Sequence, residues 1–335
     1  MADGNAIDVR SKKLGKTRPK PTEYTEEFLH HLLPIEHNVN PKFEDMQQVI
    51  RIAQKWFYLN PETRRFYLLS NEPIPYRCQQ SERFKVKGMF MAMIRKPIFD
   101  THGHVLHDGK YGIFPFVYEN ITKKKSTNKE AGAVEIKTAQ KVNKEAIRAM
   151  LLNKVIPAIQ SKWPPHMSDD IFIQWDNVRP HQILKDEEFI TACQLNGFNI
   201  QLIYQPAQSP DLNVLDLGLF NVIQSIQYQS FPKNLGGLID KVTEAYDLFN
   251  PILNKYSWIT IQSCMIEILS HLGGNNFTPP HKGKKRLERL ELLPEQQEVH
   301  RDLVQQVVEY LNTLFIPTGE GNEVDEDMQV DADER

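Results

Sequence analysis

The sequence predicts an α/β layered protein built on a mixed sheet, and three observations predict it. Strand-like patterns follow one another from about residue 48 to 118, strand and helix alternate from 143 to 204, and helical sequence runs from 210 to about 315. Consecutive strands pair antiparallel through short turns, whereas strands joined by a helix pair in parallel, so one sheet drawing on both is mixed. A chain of 335 residues, 40% hydrophobic and 25% charged, is long enough to enclose such a core.

Taken in order, residues 10–20 (RSKKLGKTRPK) are basic, with Pro and Gly interleaved, and the whole of 1–40 reads as a disordered basic arm. The runs VIRI, KWFYL, RRFYLLS and FKVKGMFMAMI carry β-branched and aromatic residues between polar ones, the signature of strands. FDTHGHVLHDGKYGIFPFVY adds a Gly-containing turn and a further strand pair, and the polar, basic stretch 123–141 reads as a loop. Asn143 stands at an N-cap position, with Ile147, Met150, Leu151 and Val155 on one helical face and an end near Trp163-Pro164. DIFIQWD (170–176) is a short apolar run fit for a buried strand, 184–196 reads as a helix, and NIQLIYQP as another strand. Helical sequence from Pro210 to about 272 is broken by a Gly-Gly and a Pro-Pro, and a last helix is expected over about 292–315. The end, 319–335, carries eight acids against one Arg and reads with the rest of 317–335 as an acidic disordered tail.

Several classes are disfavoured. No stretch reaches the roughly 18 apolar residues that span a bilayer, and the N-terminus has no apolar signal core, so an intracellular protein without a membrane partner is expected. Cys78, Cys193 and Cys264 lie far apart without a C-x-x-C pair, which indicates neither a zinc knuckle nor a disulfide framework. Nothing points to a small-molecule substrate. The net charge of −3 is uninformative, because the charge is segregated. Arg10, Lys12, Lys13 and Lys16, with the run Lys123, Lys124 and Lys125, are candidate contacts to a nucleic-acid backbone, although a solvated terminus is the favoured reading of the basic arm.

Asp176 closes an apolar strand, and strand ends are where α/β sheets place ligand sites; a lone Asp there also caps a turn. Asp216 has Leu212, Leu219, Phe220 and Ile223 at helical offsets, so it is expected on an apolar face that demands a cation or donors in compensation, unless it is a cap. Two such carboxylates at one sheet end suit Mg²⁺ or Mn²⁺. Asp211 reads as a turn or helix-start residue, His181 as a structural hydrogen bonder in preference to a ligand, and Asp100 as turn chemistry.

The strings FIQWDNVRPH (172–181) and QPAQSPDLNVLDLGLF (205–220) resemble the second and third catalytic motifs of mariner-like transposases, in particular the plant-type branch, whose two aspartates are separated as Asp176 and Asp216 are here, by 39 residues. KWFYLNPETRRFYLLSNEPIP (55–75), KGMFMAMIRKPIFD (87–100) and PHKGKKRLERLELLP (280–294) are similar to further stretches of that family, so the resemblance spans about 40–316.

The resemblance implies a ribonuclease-H-like catalytic domain over 41–316 that cuts and joins DNA at transposon ends, with three carboxylates holding two divalent ions. It assigns Asp176 and Asp216 as the second and third carboxylates and ligands of Mg²⁺ or Mn²⁺. The family's first motif reads roughly I-D-E-K-W-F, but here Ile52, Ala53, Gln54, Lys55, Trp56 and Phe57 stand in its place. A methyl group cannot ligate a cation, so metal binding is expected to be weak or lost and catalysis impaired. The family's helix-turn-helix region is expected to be missing, while DNA as partner, a homodimer and a nuclear location follow from the resemblance. Two other readings stay open: an active nuclease in which a carboxylate such as Glu62 or Asp100 substitutes, though neither lies on the predicted first strand, and a non-catalytic interaction module.

Overall fold

The computed structural model describes residues 24–33, 41–59, 85–121, 134–139, 141–206, 209–230, 232–280 and 282–314. The chain opens with helix α1 (Glu26–Leu32), capped by Thr25, whose side chain accepts from the Phe28 N–H. This corrects the reading of 1–40 as wholly disordered. Leu29 and Leu32 are buried, and the Tyr24 N–H donates to the Gly273 carbonyl at 2.8 Å, so a few apolar residues tie the segment to the body.

Strand β1 (Val49–Tyr58) joins VIRI and KWFYL into one element. The alternation of faces runs unbroken through Ala53 and Gln54: Ile50 and Ile52 enter one core, Ala53 and Phe57 the other. RRFYLLS lies outside the described residues. There follow β2 (Lys87–Arg95), the short pair β3 (Ile98–Phe99) and β4 (Val105–His107), then β5 (Lys110–Pro115), β6 (Val117–Ile121) and β7 (Val134–Thr138). The last strand corrects the loop reading of 123–141, because Val134, Ile136 and Thr138 alternate with polar residues and pair in register with β6.

Helix α2 (Lys144–Met150) begins at Asn143, whose side chain accepts from the Ala146 N–H, as expected. It continues through a π-helical turn, Leu151–Val155, into α3 (Ile156–Lys162). Pro157 explains the widening, since it offers no N–H to the carbonyl of Asn153 and its ring crowds that carbonyl. Then come β8 (Asp170–Trp175), α4 (Glu187–Gln194), β9 (Asn199–Tyr204), α5 (Phe220–Gln229), α6 (Leu235–Asp247), α7 (Pro251–Ser270), α8 (Lys284–Arg289) and α9 (Arg301–Leu314). The last helix starts later than expected, because Glu291 adopts a left-handed φ of 56° and Pro294 follows.

The main sheet has the order β5-β2-β1-β8-β9. β5, β2 and β1 are antiparallel, and β1, β8 and β9 are parallel, so the sheet is mixed. One face packs Ile50, Ile52, Ile171, Ile173 and Trp175 against Ile147, Leu151, Ile159 and Phe189 of α2–α4. The other packs Ala53, Phe57, Phe90 and Ile94 against Leu215, Phe220, Ile223, Val242 and Ile261 of the later helices. Two helical layers around a mixed five-stranded sheet, with a helical C-terminal part, make the ribonuclease-H-like fold. Among the described residues no helix is long and apolar enough to cross a membrane.

Candidate active site

The sheet sets the first two positions. β1 and β8 run parallel with Arg51 opposite Gln174, so carrying the register on by two residues sets Ala53 beside Asp176. Both lie at the C-terminal end of β8, where an α/β sheet leaves room for a ligand.

Asp176 is fixed from two sides. The Gln205 N–H donates to the Trp175 carbonyl at 2.9 Å, holding the strand end against β9. A 3₁₀ turn, Arg179–His181, returns His181 onto Trp175 with ring centroids 4.2 Å apart and planes 7° from parallel. His181 Nδ1 lies 2.6 Å from Asp176 Oδ1 and 3.0 Å from the Asp176 carbonyl. The imidazole is thus a buried hydrogen bonder that orients the carboxylate, and Asp176 stays about two-fifths exposed, at 41% of its side chain. Trp175, buried beneath, supplies the flat surface that sets the His181 ring.

Asp216 reaches the same place from the opposite layer. A 3₁₀ turn, Pro210–Leu212, carries Asp211 as the turn residue it was read to be. Asn213 follows, its side chain accepting from the Leu215 N–H and its carbonyl from the N–H groups of Asp216 and Leu217, each at 3.1 Å. Next is a π-helical turn, Leu215–Leu219, closed by the Phe220 N–H on the Leu215 carbonyl. Leu215, Leu219, Phe220 and Ile223 are fully buried, yet Asp216 is exposed, which corrects the expectation of a carboxylate enclosed on the apolar face. The widened turn breaks the 100° phase from which that expectation came. Surrounding protein still pushes the Asp216 carboxyl up from its ordinary range; the Lys55 ammonium opposes the shift and the Asp176 charge adds to it.

Ala53, Asp176 and Asp216 line one pocket of about 470 Å³ with Gln54, His181 and Asn213. Asp176 and Asp216 are the carboxylates among its described lining residues. The Gln54 Nε2 amide is buried there without a hydrogen-bond partner. This donor set suits one hard cation on two carboxylates, its remaining positions filled by water; a methyl group and an amide N–H add nothing for a second ion.

Two cations flank Ala53 on its own strand face. Arg51 is buried, donates from Nη1 to the Leu212 carbonyl and stacks 5.5 Å from the centre of the Trp258 ring. Burial lowers its pKa to about 9. Lys55 places Nζ 5.3 Å from the centre of the Phe220 ring. Neither was singled out as a site residue from sequence, although positions two before and two after Ala53 on a strand must share its face.

Asp100 does not reach this pocket. β2 ends at Arg95, paired near Ile50 at the beginning of β1, so the β3–β4 hairpin leaves the sheet at the other end. Asp100 organises its turn, accepting the N–H groups of His102 and His104 at 2.8 Å. Glu62, Arg10, Lys12, Lys13, Lys16, Lys123, Lys124 and Lys125 lie outside the described residues.

No protein-family model matches the chain, and no curated protein matches it. Solved structures do. A pre-cleavage Mos1 transpososome aligns with a TM-score of 0.51 at 15% identity, over 81% of this chain and 69% of its own. The Mos1 strand transfer complex aligns at 0.49 and 15%, over 81% and 68%, and a Mos1 transposase paired-end complex with the left transposon end at 0.48 and 15%, over 78% and 68%. The likeness is one of fold.

Proposed function

We propose that this chain, which has the fold of a mariner-like transposase catalytic domain, is a transposase-derived DNA-binding protein whose strand-cleavage chemistry is impaired at Ala53. One observation carries the reading: the pocket that gathers Asp176 and Asp216 presents the Ala53 methyl group where the family resemblance implies a third carboxylate. The motif resemblance around both aspartates supports the family assignment, and the 39-residue spacing supports the plant-type branch. DNA is the partner proposed here, on the motif resemblance and the likeness of fold to a pre-cleavage Mos1 transpososome; a homodimer and a nuclear location follow from the family resemblance alone.

Asp176 and Asp216 are the residues to hold Mg²⁺ or Mn²⁺, which when bound stabilises charge on the oxygens of a phosphoryl displacement. His181 keeps the Asp176 carboxylate aimed into the pocket, and the Lys55 charge opposes the upward shift that burial imposes on the Asp216 carboxyl. With one anionic ligand of three replaced by a methyl, the chain as given holds the cation weakly or not at all.

Plasmid nicking in Mn²⁺ tests this. The chain as given is expected to leave supercoiled DNA intact, and the Ala53→Asp, Gln54→Glu form to nick it in a manner abolished by Asp176→Ala. Metal-dependent nicking by the unaltered chain that Asp176→Ala removes would return the alternative, an active nuclease with a substitute carboxylate.

A further inference from the structure

We propose that the β3–β4 hairpin carries a separate metal site of a different class, in which Asp100, His102 and His104 bind a borderline transition cation such as Zn²⁺. Among the described residues these three form the cluster whose ligand atoms converge, all lying within 4.8 Å of one another. The turn is built to present them. Asp100 Oδ1 accepts the backbone N–H groups of His102 and His104, the Asp100 N–H donates to the His104 carbonyl at 2.9 Å, and the Gly103 N–H donates to the Asp100 carbonyl at 3.1 Å. Gly103 adopts a φ of 85°, which a side chain would resist.

With Oδ1 committed to the backbone, Oδ2 faces the two rings. His104 Nδ1 lies 2.9 Å from it and His102 Nδ1 4.0 Å. Tetrahedral ligands about 2.0–2.1 Å from zinc stand roughly 3.3 Å from one another, so the two distances to Oδ2 bracket what a cation requires. A plain turn explains the His104–Asp100 hydrogen bond. The His102 ring, 79% exposed and touched by the Thr101 hydroxyl at 3.4 Å from Nδ1, lies with its centroid 6.1 Å from that of His104 and the same Nδ1 toward Asp100, so both imidazoles converge on one carboxylate.

Ligand chemistry sets the class. Two imidazoles with one carboxylate favour zinc, cobalt or nickel over magnesium, whereas the Asp176–Asp216 pocket offers carboxylate oxygens at the opposite end of the sheet. Three protein ligands leave a fourth position for water, the arrangement of an open site.

Calorimetric titration of Zn²⁺ into the full chain tests the proposal, beside His102→Ala, His102→Ala/His104→Ala and Asp176→Asn. Saturable binding is expected in the parent and in Asp176→Asn, weakened at least about tenfold by His102→Ala and lost in the double variant. Visible absorption of tetrahedral Co²⁺ is expected to follow the same order. The His102 ring bonds to no backbone group, so the single variant folds as the parent does and keeps the test decisive. Three outcomes overturn the proposal: no saturable zinc binding by the parent, binding unchanged in His102→Ala, or binding lost in Asp176→Asn.

Discussion

Asp216 shows how a single side chain couples the site to stability. Its carboxyl is raised above the ordinary aspartate value of 3.8, so the folded chain holds that proton more tightly than the unfolded chain. Ionisation therefore subtracts stability as pH climbs from the ordinary value through the raised one. Asp216→Asn removes the penalty and is expected to melt at a higher temperature than the parent at pH 7, with the difference shrinking below the ordinary aspartate value. Melting curves across pH check this; a gain independent of pH, or a loss at pH 7, sinks the argument. The motif strings already pointed to Asp176, Asp216 and Ala53. The orientation of Asp216 was not legible, because helical phase is counted at a constant 100° and the π turn at Leu215–Leu219 does not keep it. Arg51 and Lys55 were legible by strand alternation alone, yet polar residues on a buried strand attract notice only once the sheet shows which face they share.

The elements that carry the site also explain its close packing. Gly218, inside the π turn, faces α7 so closely that an added Cβ would stand 2.1 Å from Ser257 Oγ and 3.2 Å from its Cβ. The Ser257 hydroxyl donates to the Leu253 carbonyl at 3.0 Å, so rotating it away breaks a bond within the helix. Gly218→Ala is expected to cost about 1–3 kcal/mol through overpacking, read as a lower denaturant midpoint with an unchanged slope. An unshifted midpoint would show that α7 yields freely. Strands with alternating apolar residues and the Asn143-capped helix were readable in advance, since one pattern and one cap define each. β7 was not: its alternation sits in a basic stretch, and only pairing with β6 turns such a sequence into a strand.

At the scale of the whole molecule, the sheet separates two hydrophobic cores, and the pocket opens where its parallel half meets the later helices. The mixed architecture was predictable from the order of patterns along the chain. The docking of α1 was not, because Tyr24, Leu29 and Leu32 acquire meaning only against Gly273 and the helices around it. Charge is also distributed at this scale, and the DNA binding proposed above should depend on it. Replacing Lys123, Lys124 and Lys125 by Ala is expected to flatten the dependence of log affinity on log salt by about 3 if each lysine neutralises one phosphate. An unchanged slope in a binding titration would place the DNA contacts elsewhere.

The pairing of Ala53 with Ala92 on one side, and its register beside Asp176 on the other, fixes where any side chain at this position must stand. A residue held by its neighbouring strands keeps its place whatever side chain it carries. A substitution at this position changes a handful of atoms rather than an arrangement, and the surrounding frame fixes the address that a carboxylate would take. On the proposed reading, two substitutions, Ala53→Asp and Gln54→Glu, write the first motif of the family that the sequence resembles into an intact frame, a change far smaller than rebuilding a strand or a helix.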